Sequence, residues 1–239
     1  MEMRFRLHYW PILTGFWFYL TFITSYLVAI YNDHVVKLFP YISDTGTVAP
    51  DSCIFGQMLN LGAAFMLITM YVRYRTLQLI PQRRYLKAFK PLNSWSNLFG
   101  SLSCLGISLV ANFQEKSEIT VHFIGAFMAF GVGAVYCIIH AYLTWFSYSS
   151  GFLKFLRIFL SLLVILLYVL TSVFSSLSFN KFDGKDALKW SDNHAGYGLH
   201  LVATFSEWVM AIVMGAFVAT YYVEFKQVRF KEIVFTLDE

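Results

Sequence analysis

Long apolar stretches without a single charge alternate with short polar segments along this chain. Uncharged runs occupy residues 9–31, 52–72, 91–114, 119–153 and 158–180, and a sixth covers 193–223 with Glu207 as its one charged residue. Each reaches the ~20 residues that a helix needs to cross a hydrocarbon layer. The pattern predicts six membrane-spanning helices over residues 9–31, 53–72, 92–112, 120–146, 158–178 and 195–223. The expected fold is therefore all-α, an integral membrane bundle of six transmembrane helices making one domain over 1–239. The first run is too long for a signal peptide and no small-x-small cleavage site follows it, so it reads as a retained span.

Composition removes the alternative of a soluble helical bundle. Hydrophobic residues make up 58% of the chain and charged residues 13%, too few charges to cover a water-facing exterior. The distribution of Lys and Arg sets an expected orientation. Thirteen lie on one side: Arg4, Arg6, Arg73, Arg75, Arg83, Arg84, Lys87, Lys90, Lys154, Arg157, Lys226, Arg229 and Lys231. Five lie on the other: Lys37, Lys116, Lys181, Lys185 and Lys189. Both termini are thus expected in the cytosol, with loops one, three and five on the non-cytosolic side. The net charge of +4 follows from this asymmetry, and no nucleic-acid partner is expected.

Aromatic residues near the predicted helix ends fit the preference of amphipathic rings for the interface: Trp10, Tyr71, Tyr74, Trp95, Trp145, Tyr148, Trp190, Tyr197, Tyr221 and Tyr222. Gly100, Gly106, Gly125, Gly131 and Gly133 are expected to let helix backbones approach closely. No span is evidently interrupted by proline or paired glycine, which disfavours a transporter built on broken helices. Cys53, Cys104 and Cys137 are odd in number and match no metal spacing, so free thiols are expected.

The polar residues within or beside the apolar runs carry the functional argument. Hydrocarbon penalises them, so they are expected to face inward and to have a role. Glu207 and His200 fall within about 20° of one helical line, but roughly 10.5 Å apart along the axis. His122, Asn112 and Asn60 lie toward the non-cytosolic ends of spans four, three and two, and Asp44 and Asp51 in the first loop. These seven residues are the ligand-pocket candidates. Three chemistries remain open for them. The first is hydrolysis or acyl transfer, with His122 or His200 as base, Glu207 or Asp44 orienting it, and Asn112 donating to an oxyanion. The second is a zinc site of His122, His200 and a carboxylate. The third is a polar knot that holds helices together. No metal or cofactor is expected.

Other motifs are set aside. Asp44-Thr45-Gly46 copies the aspartic-protease tripeptide, but that chemistry needs two carboxylates sharing a proton. A turn is the simpler reading, with Asp bonding backbone amides and Gly at positive φ. Tyr74-Arg75-Thr76-Leu77 and Tyr222-Val223-Glu224-Phe225 fit a tyrosine sorting pattern, yet both lie hard against the predicted membrane.

The stretch Phe39-Pro40-Tyr41-Ile42-Ser43-Asp44-Thr45-Gly46-Thr47, followed by Pro50-Asp51 and Phe55-Gly56, resembles the signature of the DNA-damage-regulated autophagy modulator family. Ala111-Asn112-Phe113-Gln114, the segment 122–125, and Trp190 through His200 to Glu207-Trp208 match in the same order. The resemblance covers nearly the whole chain. It implies a multi-pass protein of the lysosomal or late endosomal membrane that promotes autophagy and, in some members, cell death. Broader kin include a Golgi factor in lipid remodelling of GPI anchors and a plasma-membrane regulator of phospholipid asymmetry. Membrane lipids are therefore the expected ligands, bound in a non-cytosolic cleft, with autophagy proteins as partners at the cytosolic loops. A lipid hydrolase or acyltransferase using His122, His200 and Glu207 is the alternative. The first-loop carboxylate is Asp51 here, where Glu is expected in close relatives. The family supplies no agreed catalytic residues, and the oligomeric state stays open.

Overall fold

A computed structural model describes residues 7–79, 88–147 and 149–228. Among them the chain is all-helical, with six helices long and apolar enough to cross a membrane. They are α1 (Leu7–Tyr31), α2 (Asp51–Leu79), α3 (Phe89–Asn112), α4 (Ile119–Phe146), α5 (Gly151–Phe179) and α6 (Tyr197–Phe225). Each packs against the next in sequence and α6 returns to α1, so the helices close a ring around a shared interior. His8 at the start of α1 meets Tyr222 at the end of α6, their rings 5.4 Å apart. We call this the terminal end of the bundle. The first loop closes the opposite end, where its short 3₁₀ turn, Ser43–Gly46, packs on α1 and α2.

Small polar groups stitch neighbouring helices. The Thr14 and Thr69 hydroxyls meet at 3.0 Å between α1 and α2, and Tyr19 donates to the Ile212 carbonyl of α6 at 2.7 Å. Ser103 donates from α3 to the Ala129 carbonyl of α4 at 2.9 Å. Such interhelical bonds average about 0.6 kcal/mol each, enough in sum to select one packing. Gly106 and Gly125 bring α3 and α4 together: a Cβ on Gly106 would stand 2.5 Å from the Ala129 nitrogen. Helix α4 crosses without a break but carries a π-helical segment at Phe127–Val132. Nothing along the chain signals it, because π turns have no Pro or paired-Gly signature.

The terminal end holds the main departure from the charge reading. The charge distribution places Arg73 and Arg157 at the membrane edge, yet both are fully buried, and Glu224 is buried between them. Arg157 of α5 grips the Glu224 carboxylate with Nη1 at 2.6 Å and Nη2 at 2.8 Å. It also donates to the Thr144 hydroxyl of α4 and the Thr220 hydroxyl of α6. Arg73 of α2 completes an ion pair with the same carboxylate, its Nη1 3.1 Å from Oε1. Both guanidinium groups lie over the Tyr221 ring, at 4.7 and 4.9 Å. Because these charges are neutralised inside the bundle, they do not end the helices: α2 runs on to Leu79, and α5 already begins at Gly151. Glu207 is accordingly not the only acid embedded in a span.

Two of the expected interface rings are interior instead. Tyr221 belongs to the ion cluster, and Trp190 stacks beneath α6 with 2% exposure. Tyr148 and the charges Arg4, Arg6, Arg83, Arg84, Lys87, Arg229 and Lys231 lie outside the described residues. Both tyrosine sorting patterns are helical, with Thr76, Leu77, Glu224 and Phe225 buried.

Glu224→Gln leaves two buried guanidinium groups without a countercharge. The expected loss is about 3 kcal/mol or more of stability, read as a lower thermal unfolding midpoint of the purified protein in detergent. An unchanged midpoint contradicts this account of the terminal end.

Candidate functional site

The first loop is held inward by bonds to three helices. The Trp208 indole of α6 donates to the Pro40 carbonyl at 2.8 Å, and the Ile42 amide donates to Glu207 Oε2 at 2.8 Å. The Tyr41 hydroxyl meets Ser175 of α5 at 2.8 Å, and Ser25 of α1 meets Thr45 at 2.9 Å. Asp44 accepts the Tyr41 amide at 3.0 Å. Gly46 is not at positive φ as the turn reading expects; the described glycine in that region is Gly196. Gly46 is needed because the Phe55 ring lies against it, where a Cβ would clash with Cδ1.

Behind this loop lie two adjoining cavities. A chamber of about 530 Å³ is walled by α4, α5 and α6, and a narrow apolar crevice of about 110 Å³ runs inward from it along α1, α2 and α3. Ser43, His122, Ala126, Phe130 and Glu207 line both. Ala126 and Phe130 flank and enter the π segment of α4, so the wider, underwound turn falls at the junction. Glu115 and a hydroxyl row on α5, Thr171, Ser172, Ser175 and Ser176, complete the chamber.

The seven candidates separate into distinct groups. Glu207 and His122 meet at the junction of the two cavities. His122 donates through Nδ1 to the Phe113 carbonyl at 2.8 Å, and its Nε2 has no protein partner among the described residues. Asp44 stands behind the chamber wall, within electrostatic reach of Glu207 and Glu115. Asp51 is a clamp: it accepts from Asn32 at 2.6 Å and pairs with His34 at 2.7 Å, tying the end of α1 to the start of α2. Asn60 and Asn112 exchange amide bonds of 3.0 and 3.1 Å across the α2–α3 seam, which commits the Asn112 amide elsewhere than to an oxyanion. His200 stacks on Trp190 at 4.3 Å, meets the edge of Tyr41 at 5.1 Å, and lines neither cavity. Tyr41, whose ring lines the chamber, stands between His200 and that space.

This arrangement bears on the open chemistries. Among the described residues no three His, Cys, Asp or Glu side chains converge as metal ligands, so the zinc grouping of His122, His200 and a carboxylate is not assembled. The catalytic grouping of His122, His200 and Glu207 lacks His200 at the cavity. What remains is an acidic, hydroxyl-rich chamber continuous with an apolar slot. Sequence reasoning missed Glu115, which sits in a short loop between spans, and the hydroxyls of α5, which look like ordinary helix residues until the ring closes.

A family model described as the Frag1/DRAM/Sfk1/Cwh43P N-terminal domain matches residues 6–228. The chain belongs to this family. DNA damage-regulated autophagy modulator protein 2 of Bos taurus is 36% identical over 235 residues, 94% of this chain and 86% of the relative. DNA damage-regulated autophagy modulator protein 1 of Homo sapiens is 32% identical over 227 residues, 92% of each chain. Modulator of macroautophagy TMEM150B of Bos taurus is 39% identical over 137 residues, 56% of each chain. No solved structure matches. The resemblance read from the first-loop motif is thus borne out, and this Frag1/DRAM family member is a multi-pass membrane protein.

In this family member the first-loop motif that carried the resemblance also walls the site. Burial, reinforced by the charges of Glu115 and Glu207, holds the Asp44 carboxyl well above the usual carboxylate range. Burial likewise raises Glu115, with His122 opposing. In the unfolded chain both ionise near pH 4. Between that value and their raised native values the folded form holds more protons, so stability falls as pH rises through this window. The thermal midpoint is therefore expected to climb on acidification from about pH 7 to about pH 5, and Asp44→Asn to flatten that climb. A midpoint that falls equally in both proteins refutes the burial of an uncompensated acid.

Proposed function

We propose that this protein is a modulator of autophagy in the lysosomal or late endosomal membrane, acting through a lipid-binding cleft at the first-loop end. The single observation that carries the reading is the junction at Glu207 and His122. One side opens to a polar chamber and the other to an apolar slot, the division a lipid's head and tail require. The names of the relatives, autophagy modulators, support the autophagy role. The Lys and Arg bias favours a cleft on the non-cytosolic side, which leaves the loops at the terminal end for partner proteins of the autophagy machinery.

Glu207 has two duties in this reading. Oε2 staples the first loop through Ile42, and Oε1, which has no hydrogen-bond partner among the described residues, is left for a ligand. Lipid occupancy is thereby coupled to the loop that closes the site.

Ala126 lines both cavities, so Ala126→Trp fills the junction without touching a polar group. Lipids extracted from purified wild type and from this variant, compared by mass spectrometry, are expected to differ by loss of one co-purified class. Autophagic flux in cells at matched protein abundance is expected to fall with it. Identical lipid content and flux in the two proteins would falsify the cleft.

A further inference from the structure

Resting on the cleft reading, we infer that its ligand is a single-chain lipid with a cationic amine head and neighbouring hydroxyls, the chemistry of a sphingoid base. Four observations converge on this class. The chamber is lined by two carboxylates, Glu115 and Glu207, with Asp44 behind them, and by no Lys or Arg among the described residues. Lys116, whose charge reaches Asp44, does not line the chamber and pairs with Asp186 at 2.9 Å. A phosphate head finds no lysine or arginine on these walls, whereas an ammonium stabilises the ionised form of acids that burial otherwise keeps protonated.

The walls suit the same head. Tyr41, Phe123, Phe127 and Tyr168 surround the chamber, and aromatic faces attract ammonium groups. The Thr171 hydroxyl is buried without a hydrogen-bond partner, and a buried polar group left unpaired costs free energy until something bonds it. Hydroxyls beside the amine of a sphingoid base can bond Thr171 and its neighbours on α5. Two further atoms wait at the junction. Glu207 is 7% exposed and His122 3%, yet Oε1 of one and Nε2 of the other have no hydrogen-bond partner among the described residues. Finally, the crevice of about 110 Å³ is narrow beside the chamber of about 530 Å³. Its walls, including Phe22, Leu59, Met66 and Ala211, are apolar, and its volume takes part of one alkyl chain with no room for a second.

The test uses the purified full chain in nanodiscs and a photoactivatable, clickable sphingosine. Competitors are sphingosine, ceramide (whose amide removes the cation), lysophosphatidylethanolamine (whose phosphate restores an anion), and a fatty acid. Sphingosine is expected to displace the probe at least tenfold more effectively than any other, about 1.4 kcal/mol. Glu115→Gln with Glu207→Gln is expected to weaken it at least tenfold, while the glutamines keep an acceptor for the Ile42 amide and hence the fold. A thermal midpoint close to wild type confirms that the double variant is folded; if it is not, Glu115→Gln alone serves, since Glu115 lies in a loop. Equal displacement by ceramide, or preference for the fatty acid or the phospholipid, overturns the amine assignment and leaves the cleft standing. Failure of every lipid to displace or label, in wild type and variant alike, removes the cleft reading itself.

Discussion

Hydrocarbon tolerates no stray polar side chain, and the way this bundle meets that constraint decides its shape. With no water at membrane depth, each buried donor, acceptor or charge must find a partner within the protein or on a ligand. The six helices close a ring in sequence order, which gives every span two neighbours and one inward face. Hydroxyl-to-carbonyl stitches satisfy most of the small polar residues on those faces. The charged ones are sorted to the two ends and treated in opposite ways.

At the terminal end the charges are countered internally, although the Arg73 nitrogens make no hydrogen bond. Glu224 is shared between Arg157 and Arg73, with Tyr221 beneath both guanidinium groups and the Thr144 and Thr220 hydroxyls taking further donors. Helices α2, α4, α5 and α6 meet there. At the first-loop end the acids converge with His122 but with no lysine or arginine on the chamber walls among the described residues. Glu115 and Glu207 line an open chamber with Asp44 behind its wall, and a single backbone amide is what Glu207 receives from the protein. A family member that had only to hold six helices together could close this end as it closes the other. Cavities beside carboxylates that no lysine or arginine pairs among the described residues instead fit a site completed from outside.

Much of this was legible in the sequence, for a physical reason. Spans are dictated by the length of uncharged runs, a one-dimensional property, so six helices follow directly. The first-loop motif was also legible, because Ser43, Asp44 and Gly46 serve local geometry as well as the site. What failed was inference that treated a charge as a surface marker: Arg73, Arg157 and Glu224 abut the uncharged runs at one level, and their complementarity was the signal that they pair inside. Depth likewise did not fix direction. Asp51, Asn60, Asn112 and His200 belong to the same half of the bundle as Glu207, yet the helix rotations send them to a clamp, a seam and a stack with Trp190. Glu115, in a loop of mixed charge, gave no sign until α3 and α4 were seen to fold it over the chamber.

The central claim is that the first-loop end is completed by a ligand rather than by the protein. A cryo-electron microscopy map of the protein in native-lipid nanodiscs tests it most directly. The account predicts elongated density with its head between Glu115 and Glu207 and its tail passing His122 into the crevice toward Met66. A map in which Glu207 Oε1 and the Thr171 hydroxyl bond one another or a protein neighbour, with the crevice closed by side chains, contradicts it.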